Sequence, residues 1–124
     1  MAQTEPTQQI AFQVHDREGY ASSVLLRVDE KTAQGRLAIT ASAAGETQQH
    51  ELTQLQKSRD GKTLMCKTSM ATVTLTIKDE YTPPCLHLVA KVFFPVMDTT
   101  YTLSQADQER LVAWINTLGL RTLS

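Results

Sequence analysis

Glycine is scarce in this chain, with five residues among 124. None of the five belongs to a Walker-type loop or a dinucleotide fingerprint, which argues against the nucleotide folds whose phosphate cradles need such glycines. Cysteine is scarcer still. Cys66 and Cys85 are too few for a disulfide framework, so two free, partly buried thiols of a cytosolic protein are expected. Charge of one sign is also lacking: twelve Lys and Arg against thirteen Asp and Glu leave a net charge of −1. A chain so balanced has no basic surplus for nucleic acid and no basic cluster for anionic lipid. Long apolar runs are missing. The longest, PPCLHLVAKVFFPV, is interrupted by His87 and Lys91 and is too short for a spanning helix. The opening segment MAQTEPTQQ has neither a basic stretch nor an apolar centre, so no signal peptide is expected and the chain reads as cytoplasmic.

What is present is alternation. A length of 124 residues suits one domain. Residues 1–8 read as a disordered polar tail, and residues 9–122 as a single β-rich domain. Ile10, Phe12 and Val14 share one face of a first strand, and DREG makes a turn. Val24, Leu26 and Val28 mark a second strand; Leu37, Ile39, Ala41 and Ala43 mark a third. In TQQHELTQLQKS, Leu52 and Leu55 stand three apart, which fits a strand carrying a bulge. Asp60-Gly61 then signals a hairpin with a type I′ turn. TLMCKTS and ATVTLTIKD follow as strands, the latter with Val73, Leu75 and Ile77 inward and threonines outward. DEYTPP breaks the sheet. CLHLVAKVFF is the most apolar strand and reads as central, with Leu86, Leu88, Ala90, Val92 and Phe94 on one covered face and Cys85, His87, Val89, Lys91 and Phe93 on the other. Pro95 and MDTT read as a connection, and TYTL as a possible short last strand. The fold class is mainly β (α+β): about seven antiparallel strands forming a bent sheet, roll or small barrel, capped by one C-terminal helix.

That helix spans residues 104–118. Ser104 is a good N-cap with Asp107 three residues on, and Asp107 and Glu109 suit the positive end of the helix dipole. Leu111, Trp114, Ile115 and Leu118 fall on one stripe, so Trp114 is expected as a structural anchor. Gly119 is placed for the left-handed position of a Schellman ending, with Leu120 folding back toward Ile115.

A bent β-sheet followed by a helix with Trp114 in RLVAWINTL resembles the pleckstrin-homology-like superfold, and HELTQL before the hairpin is similar to an apolar-x-x-apolar pattern of its bacterial members. The resemblance implies a strongly bent seven-stranded sheet whose open end the helix closes. Lipid-binding members of that fold carry a basic cluster around the first hairpin. VHDREGYASSVLLR offers only His15, Arg17 and Arg27, offset by Asp16 and Glu18, so the resemblance does not extend to headgroup binding. A fold alone names no function.

Candidate chemistry is thin. Cys85-x-His87 puts two potential ligands on one strand face, but zinc needs three or four, and Cys66, His15 and His50 are scattered. Cys85 or Cys66 with a histidine could form a nucleophilic pair, yet an apolar strand beside prolines favours a buried, inert thiol. The acidic pairs Asp16/Glu18, Asp29/Glu30 and Asp79/Glu80 sit where turn chemistry explains them. No catalytic residue, cofactor or metal site is therefore expected. The best local cluster is basic: Lys57, Arg59, Lys62 and Lys67 around one hairpin, either a solvated edge or a contact for an acidic partner. The expected function is a non-catalytic binding or protein-interaction module, with a protein partner or a second copy engaged through a strand edge, the basic hairpin or the groove beside the helix. The alternative is a small-molecule carrier or enzyme with an apolar cavity between sheet and helix.

Overall fold

The computed structural model describes residues 7–42, 45–67, 70–92 and 95–123. Eight strands follow one another as β1 (Thr7–His15), β2 (Ala21–Asp29), β3 (Gln34–Ala41), β4 (Glu46–Lys57), β5 (Thr63–Lys67), β6 (Thr72–Lys78), β7 (Cys85–Lys91) and β8 (Pro95–Thr102). The helix α1 (Gln105–Thr117) and a two-residue strand β9 (Arg121–Thr122) complete the chain. Each of the eight strands pairs antiparallel with the next, and the sheet curls until β1 meets β8. The fold is thus mainly β, a ring-closed antiparallel sheet with one C-terminal helix. Among the described residues no helix is long and apolar enough to cross a membrane.

Alternation builds the interior. Ile10, Phe12 and Val14 of β1, Val24, Leu26 and Val28 of β2, Leu64 and Cys66 of β5, Val73, Leu75 and Ile77 of β6, and Leu86 and Leu88 of β7 are all buried. They stand two residues apart, as a strand with one inner face requires. β4 breaks that spacing and shows why it can. Its ladder to β5 shifts register between Thr53 and Gln56, and Gln54 adopts a φ of 54°. The extra residue of this bulge turns both Leu52 and Leu55 inward, each 1% exposed, although they stand three apart.

The helix closes one end of the ring. Ser104 caps it, its hydroxyl accepting from the Asp107 N–H at 3.1 Å. Leu111, Ile115 and Leu118 are buried, together with Gln108. Trp114, expected in the middle of that stripe, stands on its shoulder: it is partly buried and packs against the core from the β1 side. The stripe runs through Gln108 instead, because its innermost line follows positions 108, 111, 115 and 118.

Four expectations need correction. Gly119 does not adopt positive φ; the helix ends with Leu118 in an extended conformation, and the Gly119 N–H donates to Oε1 of Glu30 at 2.9 Å. The Glu30 carboxylate from the β2–β3 turn thus accepts the N–H that a Schellman ending would direct to a helix carbonyl. In the β4–β5 hairpin only Gly61 has positive φ, at 74°, so the turn is not type I′. Its N–H bonds to the Ser58 carbonyl at 3.2 Å, closing a four-residue turn ahead of the left-handed glycine. Pro95 and MDTT are not a connection but the first part of β8, since a proline is tolerated at the first residue of a strand. Finally, β7 is covered on one face only: Leu86 and Leu88 are buried, while Cys85, His87 and Val89 on the other face are partly exposed and Val92 beyond it is 45% exposed. A single curled sheet has no second layer to cover that outer face. Of the polar tail read over residues 1–8, residues 1–6 lie outside the described residues and Thr7 and Gln8 belong to β1. The readings of Ala43, Thr68, Ser69, Phe93 and Phe94 also fall outside the described residues.

Candidate functional site

The basic hairpin is largely occupied with holding the fold. Nζ of Lys57 donates to the carbonyl of Leu118 at 2.5 Å and of Asn116 at 3.3 Å. The last turn of α1 carries no basic residue of its own, so Lys57 brings a positive charge to the negative end of the helix from β4. Lys62 pairs with Asp79 at 2.9 Å, and that hydrogen bond and charge hold its ammonium above the usual lysine range. Asp60 is pulled below the usual carboxylate range, first by the Ser58 hydroxyl at 2.6 Å and then by the Lys62 backbone N–H at 3.0 Å. Arg59 is exposed at the tip, and Lys67 is exposed at the far end of β5. The four cations are therefore not one patch: two are tied into structural contacts and the other two are separated by the length of a strand.

Gly61 explains how the hairpin meets the helix. It is buried, and a Cβ there would run into the Asn116 side chain, whose Nδ2 donates to the carbonyls of Val112 at 3.0 Å and Asp60 at 3.4 Å. The hairpin tip is thus a seat for the end of α1.

The ring leaves little internal space. A cavity lined by Leu37, His50, Val73, Leu88 and Ala90 measures about 20 Å³, on the order of one water molecule. Cys66 is buried among the core residues, and burial pushes its thiol up to about 12, which leaves it protonated and inert. Cys85 and His87 face outward. Nε2 of His87 lies 2.6 Å from Oδ1 of Asp98 on the neighbouring strand, in the open rather than in a cleft. Both cysteines are free. Among the described residues, no three His, Cys, Asp or Glu side chains gather as a metal site would require.

The seam of the ring is the feature that sequence reasoning missed. β1 and β8 share one residue pair, His15 with Thr102, the last residue of each strand. Below it, α1 lies along β1: Arg110 donates to the Ala11 carbonyl at 3.2 Å, and a groove of about 500 Å³ runs between Gln9, Ile10, Ala11 and the helix residues Arg110, Ala113, Trp114 and Thr117. The indole Nε1 of Trp114 is enclosed here without a hydrogen-bond partner among the described residues. Above it, no strand among the described residues pairs with β8 on the side away from β7. A second groove of about 350 Å³ flanks that edge, lined by Asp98, Thr99 and Thr100 of β8 and by Asp16, Arg17 and Glu18 of the β1–β2 turn. The signal available in the sequence was the contiguous β-branched and aromatic run Thr99–Thr102, attached to Val96 and Met97.

No protein-family model, curated protein or solved structure matches this chain.

Proposed function

We propose that the chain is a non-catalytic binding domain that engages a protein partner in the cytoplasm. The observation that carries this reading is the filled interior. Val14, Val28, Leu26, Leu52, Leu55, Leu64 and Leu111 are all 1% exposed or less, and the enclosed space beside Leu88 is about 20 Å³. A carrier of a drug-sized ligand needs on the order of 300 Å³ of apolar pocket, and the spaces of that size beside α1, about 500 Å³ at Trp114 and about 300 Å³ at Leu55 and Leu120, are open surface grooves. The side chains with reactive potential are either sunk in the core, as Cys66 is, or spread on the outer sheet face, as Cys85 and His87 are. Free thiols on a chain with two cysteines suit a reducing compartment. The order of elements, a bent antiparallel sheet followed by a plugging helix, is also what supports the pleckstrin-homology-like reading, from which the eighth meander strand and the half-buried Trp114 depart.

Native mass spectrometry of the protein purified from its own host tests the reading. A retained polypeptide of discrete mass is the expected result. A stoichiometric adduct of a few hundred daltons, lost on unfolding, overturns it in favour of a carrier.

A further inference from the structure

The β8 edge poses a specific physical problem. A strand edge presents a row of backbone N–H and C=O groups that templates pairing with another chain. In this ring β2 to β7 are paired on both sides, and the edge of β1 faces α1, which reaches the Ala11 carbonyl through Arg110. Among the described residues of the eight-strand ring, β8 keeps an unpaired edge from Pro95 to Tyr101, with β1 reaching only Thr102. Proteins blunt such edges with lysines, prolines or bulges within the strand. Here the proline and a register shift lie together at the start of the strand, between Pro95 and Met97, and the remainder, Met97–Thr102, holds no lysine and pairs with β7 in unbroken register.

The surroundings select the occupant. The flanking groove has one wall of strand edge and one wall of turn, an open trough about 350 Å³ in volume rather than an enclosed pocket. Its rim carries three carboxylates, Asp16, Glu18 and Asp98, the last already bonded to Nε2 of His87 at 2.6 Å, against the single guanidinium of Arg17. The Asp16 carboxylate holds the turn through the Tyr20 N–H at 2.9 Å. A second copy pairing β8 to β8 would bring two acidic rims together, and like charges set opposite each other across a ladder are destabilising.

We infer that the free edge of β8 is a docking site for an extended, basic segment of a partner protein, which adds to the sheet as an antiparallel strand. The guest continues the direction of β1 past the seam. Its backbone supplies the ladder, and lysines or arginines at alternate positions meet Asp98 and Glu18. Thr100 and Asp98 are exposed on the outer face, so the guest's basic side chains stay solvated at their tips. This inference rests on the binding-domain reading and names the surface and the chemistry of its partner.

The test is amide hydrogen exchange, read by NMR on the full chain, with a capped peptide of alternating lysine and threonine, about six residues long, an ordinary strand length. At saturation the peptide is expected to slow alternate amides between residues 96 and 101 by about tenfold or more, because pairing removes an edge amide from solvent. A peptide of the same length with glutamate for lysine is expected to give no protection, and N-methylation of alternate peptide amides is expected to abolish it. Glu18→Lys, which leaves the Asp16 turn bond in place, is expected to weaken the basic peptide several-fold without altering the melting temperature. Protection confined to the α1 groove or the β4–β5 hairpin overturns the inference, as does the absence of β8 protection at millimolar peptide. Protection of β8 that grows with protein concentration and needs no peptide overturns it in favour of a second copy. If mass spectrometry retains a partner polypeptide while β8 stays unprotected in that complex, the binding-domain reading stands and this surface falls.

Discussion

The two strands at the seam expose the same backbone chemistry and meet opposite fates. β1 turns its free edge to α1, where Arg110 bonds the Ala11 carbonyl and Trp114 packs beside Ile10. β8 turns its free edge to solvent and the acidic β1–β2 turn. One edge faces a helix that the chain itself supplies; among the described residues no element covers the other.

The contrast can be broken from the covered side. Ile115 is 2% exposed and fixes the helix to the ring. Ile115→Ala is expected to cost about 2–5 kcal/mol, the range for deleting a buried branched side chain, and chemical denaturation measures it. Amide exchange in β1 should rise with it, while exchange in β8 stays as it was; equal changes in both strands would mean the helix protects no edge selectively. Next in size is Gly61→Val, expected to cost about 1–3 kcal/mol for a β-branched residue at positive φ, with the added displacement of Asn116. Full tolerance would show that the hairpin does not seat the helix. Lys57→Met, which keeps the stem and removes the charge from the helix end, is expected to cost about 1–2 kcal/mol, read as a shift in denaturation midpoint. Smallest is Arg110→Ala, under about 1 kcal/mol because the bond is exposed. Its signature is local: faster exchange along β1 near Ala11, with the melting temperature nearly unchanged.

How much of this was legible in the sequence follows from what a period can carry. Ile10, Phe12 and Val14, or Val73, Leu75 and Ile77, state their own face, because a strand with one buried side must alternate. Ser104 and Asp107 announced the helix start through a local hydrogen bond. The helix end was misread because its stop signals are not local. Lys57 and Glu30 come from 61 and 89 residues away in sequence to satisfy carbonyls and an N–H there, and no window around Gly119 contains them. Trp114 packs against the core from the shoulder of the stripe, since a polar residue, Gln108, takes an inner position that a hydrophobic count passes over. The basic hairpin was visible as composition, but the partners that tie up Lys57 and Lys62 were not. The seam was invisible for the most basic reason: which edge remains unpaired is decided only when the ring closes.

That closure has a kinetic side. Each strand of the meander pairs with its sequence neighbour, so the ladders from β1 to β8 cost little loop entropy to form. The pairing of His15 with Thr102 and the bond from Arg110 to Ala11 join residues nearly the whole chain apart. Such contacts are expected to form last in folding and to open first in the native state. The region with the bare edge is then also the region that breathes most readily, and a guest strand would find its docking line widened by the molecule's own fluctuations.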